Sequence, residues 1–114
     1  MGVGYEKSKA FAIRVVRLYS YLCNNKKEYV LSKQLLRSGT SIGANLAEAE
    51  CAISKKEFLA KVYVALKECS EAQYWLELLY ATEYITNVEY NSIRQDAAEI
   101  RKILTATTKT LTHS

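Results

Sequence analysis

The chain has 114 residues, of which 49% are hydrophobic, enough to bury one core without staples and too few for several domains. Its net charge of +4 is only mildly basic, and its three cysteines and one histidine (Cys23, Cys51, Cys69, His113) stand at no metal-ligand spacing, so a structural zinc site or a Cys–His nucleophile lacks partners. The longest uninterrupted apolar run, residues 62–66, is far too short to cross a bilayer and no signal-peptide pattern opens the chain, so a cytoplasmic protein with reduced thiols is expected.

Proline is absent and glycine occurs only at Gly2, Gly4, Gly39 and Gly43, so the usual strand-and-turn punctuation is missing and an all-helical single domain, residues 1–114, is predicted. In the first segment Phe11, Val15, Leu18 and Leu22 repeat at helical spacing, and Asn24 and Asn25 predict a stop before Lys26 and Lys27. The second helix is predicted over residues 29–51, with Leu31, Leu35, Ser38, Ile42, Asn45 and Ala49 facing inward. Gly39, Gly43 and Ala47 form a small-residue row on it. A glycine inside a helix costs about 1 kcal/mol relative to alanine, so a close backbone approach by another helix is expected as compensation. A phosphate cradle is the rival reading of SGTSIG, but no strand precedes it and no GK[ST] follows.

Ser54 followed by Glu57 reads as a capping box opening the third helix. There Phe58, Val62, Ala65, Cys69, Ala72, Leu76 and Leu79 alternate in steps of four and three, and about 28 residues give a rod of roughly 42 Å. From Phe58 to Tyr80, 16 of 23 positions are apolar, too many for a helix with one solvent face. Leu59, Tyr63, Leu66 and Tyr74, with Gly39, Gly43 and Ala47, are therefore the candidate surface for self-association. Thr86 or Asn87 caps a fourth helix carrying Ile93, Ala97, Ile100, Leu104 and Leu111. Four matched rods with short connections predict an antiparallel up-down-up-down four-helix bundle.

Charge is unevenly spread. Residues 1–37 hold eight basic residues against Glu6 and Glu28, whereas residues 38–114 hold eight against ten acidic ones. On the first helix Arg14, Arg17 and Tyr21 fall within about 60° of each other at 100° per residue, and Lys26 and Lys27 extend the positive surface. These five are the candidate nucleic-acid-binding residues, with phosphates on the cations and a base against the ring. A solvated helix face explains the same charges. Arg37, Asn45, Glu48, Lys61 and Glu68 lie near inward faces and form a candidate polar network, structural in the first instance. Glu48 and Glu68 could do acid/base work, but the Glu-x-x-His pairs of di-iron bundles are absent. No enzyme activity, cofactor or metal is expected.

Taken together, QLLRSGTSIGANLAEAE at 34–50 and SKKEFLAKVYVALKECSEAQYWLELL at 54–79, with the flanking helices, resemble a bacterial four-helix-bundle family. Its members are encoded in intervening sequences of large-subunit ribosomal RNA genes and often carry a ribosomal-protein label. The resemblance covers nearly the whole chain. It implies an antiparallel bundle assembled into a homopentameric ring, the ribosomal label reflecting gene location. A more distant similarity is to the accessory protein of diversity-generating retroelements, a basic pentameric bundle working with a reverse transcriptase and its RNA. The function these similarities imply is that of a non-enzymatic homo-oligomer binding RNA or a nucleoprotein, or alternatively a protein–protein scaffold whose partner handles RNA or DNA. A small-molecule or metal-binding bundle is a third class.

Overall fold

A computed structural model describes residues 2–112. Four helices fill them, with no strand: α1 (Val3–Lys26), α2 (Leu31–Ala49), α3 (Lys55–Ala81) and α4 (Asn87–Thr112). α1 packs on α2 and α4, and α3 packs on the same two. The particle is a rod of 46 × 21 × 19 Å. No helix among the described residues is long and apolar enough to cross a membrane.

One shared core follows from the four stripes. Phe11, Val15 and Leu22 of α1 meet Leu35, Ile42 and Leu46 of α2. Val62, Ala65, Cys69, Ala72, Leu76 and Leu79 of α3 and Ile93, Ala97, Ile100 and Leu104 of α4 complete it. The seam predicted on α3 is buried except at Phe58, which is half-buried at its margin. Ser8, Ser32 and Thr108 are buried as well, a position their polarity hides from a hydrophobic-pattern reading. Each keeps its hydroxyl satisfied on a nearby backbone carbonyl: Ser8 on Gly4 at 2.7 Å, Ser32 on Glu28 at 2.8 Å, Thr108 on Thr105 at 2.8 Å. Among the described residues no buried side-chain nitrogen or oxygen lacks a partner.

The helix ends correct the predicted boundaries. α1 runs through Asn24 and Asn25 to Lys26, and the chain turns at Lys27, whose φ of 56° is left-handed. The Glu28 amide returns to the Leu22 carbonyl at 3.0 Å. α2 then begins at Leu31, two residues later than predicted, because the Glu28 carboxylate takes over its first turn. That carboxylate accepts the amides of Val30 (3.0 Å), Leu31 (3.0 Å) and Ser32 (2.8 Å), the donors a helix start leaves unpaired. Burial pushes the Glu28 carboxyl up, but the amides of Ser32, Leu31 and Val30 together with the Ser32 hydroxyl outweigh it and hold it below the usual range. At α3, Ser54 Oγ accepts the Glu57 amide at 3.0 Å. At α4 the box is reciprocal: Thr86 Oγ1 accepts from the Glu89 amide (3.2 Å) and Glu89 Oε1 from the Thr86 amide (2.8 Å).

Gly39 and Gly43 also need correction. Both are buried beneath α1 of the same chain, so the close approach they permit is used inside the subunit and not between copies. A Cβ on Gly39 would stand 2.9 Å from both methyls of Val15, whereas one on Gly43 would meet Ser8 Cβ at an ordinary 3.7 Å.

Candidate functional site

The basic residues of α1 differ in whether an acid of α4 holds them. Lys7 and Arg14, seven apart, both reach α4: Lys7 pairs with Glu99 at 2.6 Å, and Arg14 donates to Asp96 at 2.7 Å and to Ser92 at 3.0 Å. Arg14 is thus held by an acid and does not stand free beside Arg17, contrary to the grouping expected from helical angles. Arg17 and Lys26 are exposed and have no carboxylate partner among the described residues. Lys27 donates to the Asn24 carbonyl at 3.1 Å, which ties its ammonium to the helix end. Tyr21 is 37% exposed and, with Lys26, lines a groove of about 310 Å³ at this end of the rod. Tyr80 and Tyr84 form its opposite wall, and Glu83 and Glu89 give it acidic edges. Of these cations only Lys26 lines the groove, and Arg17 is exposed on α1 outside it.

The predicted polar network resolves into two separate contacts between α2 and α3. Lys61 donates to Glu48 at 2.8 Å. Arg37 donates to Glu68 at 3.3 Å and makes a short contact with Glu71, whose carboxylate also accepts from the Trp75 indole at 3.1 Å. Arg37, and then the Trp75 indole, hold the Glu71 carboxyl below the usual range. Asn45 belongs to neither contact, since its amide donates to the Ser41 carbonyl one turn back on its own helix. Glu71 and Trp75 are members of this cluster that the sequence pattern does not single out. Their four-residue spacing on α3 is the signal that could have found them, because such pairs share one helix flank. These bonds give Glu48 and Glu68 cationic partners and a structural role.

On the outer side of the rod, Tyr63 is 44%, Val64 39% and Tyr74 56% exposed on α3, and Ile13 and Val16 are each 45% exposed on α1. Leu59 and Leu66 are half-buried, Leu66 packing on the core, and Ala47 is half-buried on α2. Of the seven candidate assembly residues, Tyr63 and Tyr74 present the most free surface. At the opposite end of the rod from Tyr21, an apolar cavity of about 240 Å³ lies among Val3, Tyr5, Leu46, Phe58 and Ile103.

Among the described residues no group of three or more His, Cys, Asp or Glu side chains is arranged to hold a metal ion. His113 lies outside the described residues. Cys69 donates to the Ala97 carbonyl at 3.4 Å, and burial pushes its thiol up to about 11, far from a nucleophile's range. Cys23 is half-buried and Cys51 exposed, and all three are free.

Comparison with known proteins places this geometry. No curated protein matches the chain. A crystal structure at 1.70 Å of a protein with unknown function from the S23 ribosomal protein family of Bacteroides thetaiotaomicron VPI-5482 is 55% identical, with a TM-score of 0.93. The match covers 94% of this chain and 99% of that one. The sequence pattern described as the 23S rRNA-intervening sequence protein matches residues 3–106, from the first turn of α1 to well inside α4. The chain therefore belongs to the 23S rRNA-intervening sequence protein family.

Proposed function

We propose that this protein is a non-enzymatic, self-associating bundle that binds RNA through the exposed end of α1. The observation that carries the reading is the pairing of unneutralised cations with an exposed ring: Arg17 and Lys26 lack carboxylate partners among the described residues, and Tyr21 lies one helical turn from Arg17 and shares a groove with Lys26. Phosphates attract such cations in a salt-dependent way, and bases stack on such rings. Helix direction is up-down-up-down in this reading. It is supported by pairs that run in opposite order along neighbouring helices, such as Lys7 with Glu99 and Arg14 with Asp96, or Glu48 with Lys61 and Arg37 with Glu68.

Self-association rests on Tyr63, Val64 and Tyr74, apolar surface left over after the core is filled. A homopentameric ring in the cytoplasm fits the resemblance. In any ring each weak cationic patch is repeated by every subunit, so a modest charge per chain gains avidity. The test is light scattering of nuclease-treated protein with absorbance at 260 and 280 nm followed across the peak before and after treatment. A ring-sized particle that initially carries RNA supports the proposal, provided that Arg17→Glu with Lys26→Glu abolishes RNA retention and leaves assembly intact. Retention by that double variant sinks the α1 site.

The second reading is a protein–protein scaffold, favoured by Tyr63 and Tyr74, since exposed aromatics are the residues interfaces concentrate. A clean ring whose partner survives nuclease and high salt in a pull-down would select it.

A further inference from the structure

The ion pairs between helices are distributed in one direction. Among the described residues they join α1 to α4 and α2 to α3, and none joins α3 to α4. Asp96 and Glu99, the acids in the middle of α4, are both turned to α1. The opposite flank of α4 is left with Arg94 and Arg101, two turns apart and about 10 Å along the helix. Their partners are neutral. Arg94 lies over the Tyr90 ring, 5.9 Å from its centroid, and Arg101 donates to the side-chain oxygen of Gln73 on α3 at 3.0 Å.

Tyr90 is itself stacked on Tyr80 of α3, with centroids 4.5 Å apart and planes within 1°. Tyr80, Tyr90 and Arg94 thus form a row across α3 and α4, and Tyr90 and Arg94 line a groove of about 260 Å³ between the two helices. Ala98 stands between the two arginines and leaves the floor open. Glu77 is the single carboxylate in the lining, against two guanidiniums.

We infer that this α3–α4 groove is a binding site for single-stranded RNA, in which a base stacks on the exposed face of the Arg94 guanidinium and Arg101 takes a neighbouring phosphate. The inference rests on the RNA-binding reading above and adds a second binding surface, on the other side of the Tyr80 ring from Tyr21 and Lys26. Arginine suits both tasks, because its plane stacks on rings and its fork matches phosphate oxygens. Unpaired bases are the nucleic-acid feature that side-chain platforms of this kind engage, whereas a duplex hides its base faces. Gln73 and Glu77 border the same space with acceptors, and Glu77 disfavours a phosphate on its side of the groove. The strand's backbone is thereby directed along α4.

The experiment is fluorescence anisotropy of the whole, nuclease-treated protein with a labelled oligouridylate of about 16 nucleotides, a length that spans one such site, titrated at several salt concentrations. Arg94→Gln with Arg101→Gln is expected to weaken binding at least about ten-fold and to flatten the slope of log K against log salt by about 0.7 for each phosphate no longer neutralised. Arg94→Lys keeps the charge but not the plane, so its expected signature is about five-fold weaker binding with the slope unchanged. Both positions are exposed, so neither change threatens the fold. Wild-type affinity and slope in the double arginine variant would overturn the groove, and simultaneous loss of binding in Arg17→Glu with Lys26→Glu would leave the α1 site standing alone. If the wild-type protein does not bind the oligonucleotide, the RNA reading and the groove fall together. Equal or tighter binding of a duplex of the same length would overturn the stacking role of Arg94.

Discussion

The two flanks of α2 are joined to their neighbours by opposite means. Toward α1 the packing is achieved by removing side chains: Gly39 lets Val15 in to a distance no Cβ could tolerate, Gly43 faces Ser8, and no ion pair crosses between the helices among the described residues. Toward α3 the packing is edged with long charged side chains, Arg37 on Glu68 and Glu71, and Lys61 on Glu48. Shape complementarity in a dry seam is intolerant of added volume and indifferent to salt. Ion pairs half open to water tolerate substitution and are screened. The α1–α2 seam therefore sets position, and the charges along α2–α3 mainly select register.

The largest effect is expected where volume enters the dry seam. Gly39→Val should destabilise by about 3 kcal/mol in urea unfolding, and Gly39→Ala by about 1 to 2 after the gain in helix propensity is subtracted, because Val15 is stiff and fully buried. Gly43→Ala, with room at 3.7 Å, should do the reverse and stabilise by about 0.5 to 1 kcal/mol. Alanine effects of the same sign and size at the two glycines would remove the distinction drawn between them.

Next comes the corner that leads into this seam. Glu28→Gln should cost about 2 kcal/mol at neutral pH by weakening three charge-assisted bonds. Since the folded carboxyl titrates below its unfolded value of about 4.3, the stabilisation is complete above that pH and is lost as pH falls through the folded value. Urea midpoints of wild type and variant should accordingly converge in acid. Thr86→Ala should cost about 1 kcal/mol, read from the same unfolding curves. Arg37→Met should cost less than about 1 kcal/mol, because the Arg37 side chain is 52% exposed and solvent discounts the pairs, and the loss should vanish in about 1 M salt.

Much of the architecture is legible in the sequence because it depends on periodicity. The α3 seam and the stripes of α1 and α4 are spaced residues that have no alternative but to face one another. Capping at Ser54 and Thr86 is readable from a local code of four residues. What escapes depends on partners distant in sequence. Nothing in Arg14 and Arg17 announces that one meets Asp96 while the other meets water, since that is decided by residues about 80 positions away. Gly39 and Gly43 declare a close approach but not whether the approaching helix is the chain's own. Glu28 reads as charge set against Lys26 and Lys27, when its role is to replace the missing hydrogen-bond acceptors of α2. Ser8, Ser32 and Thr108 are invisible to a pattern built on apolar residues, whereas Ser38 shows because it falls on the inward stripe of α2. The row of Tyr80, Tyr90 and Arg94 assembles only when α3 and α4 lie side by side.

Trp75 gives these seams an optical consequence. It is the single tryptophan of the chain, and its indole is bonded to the carboxylate that Arg37 also holds. Tryptophan emission therefore reports chiefly on the α2–α3 interface, where the indole is bonded. If α1 detaches first, circular dichroism will register a loss of helix while the emission maximum stays put. A single coincident transition would mean that the glycine seam and the charged one yield together.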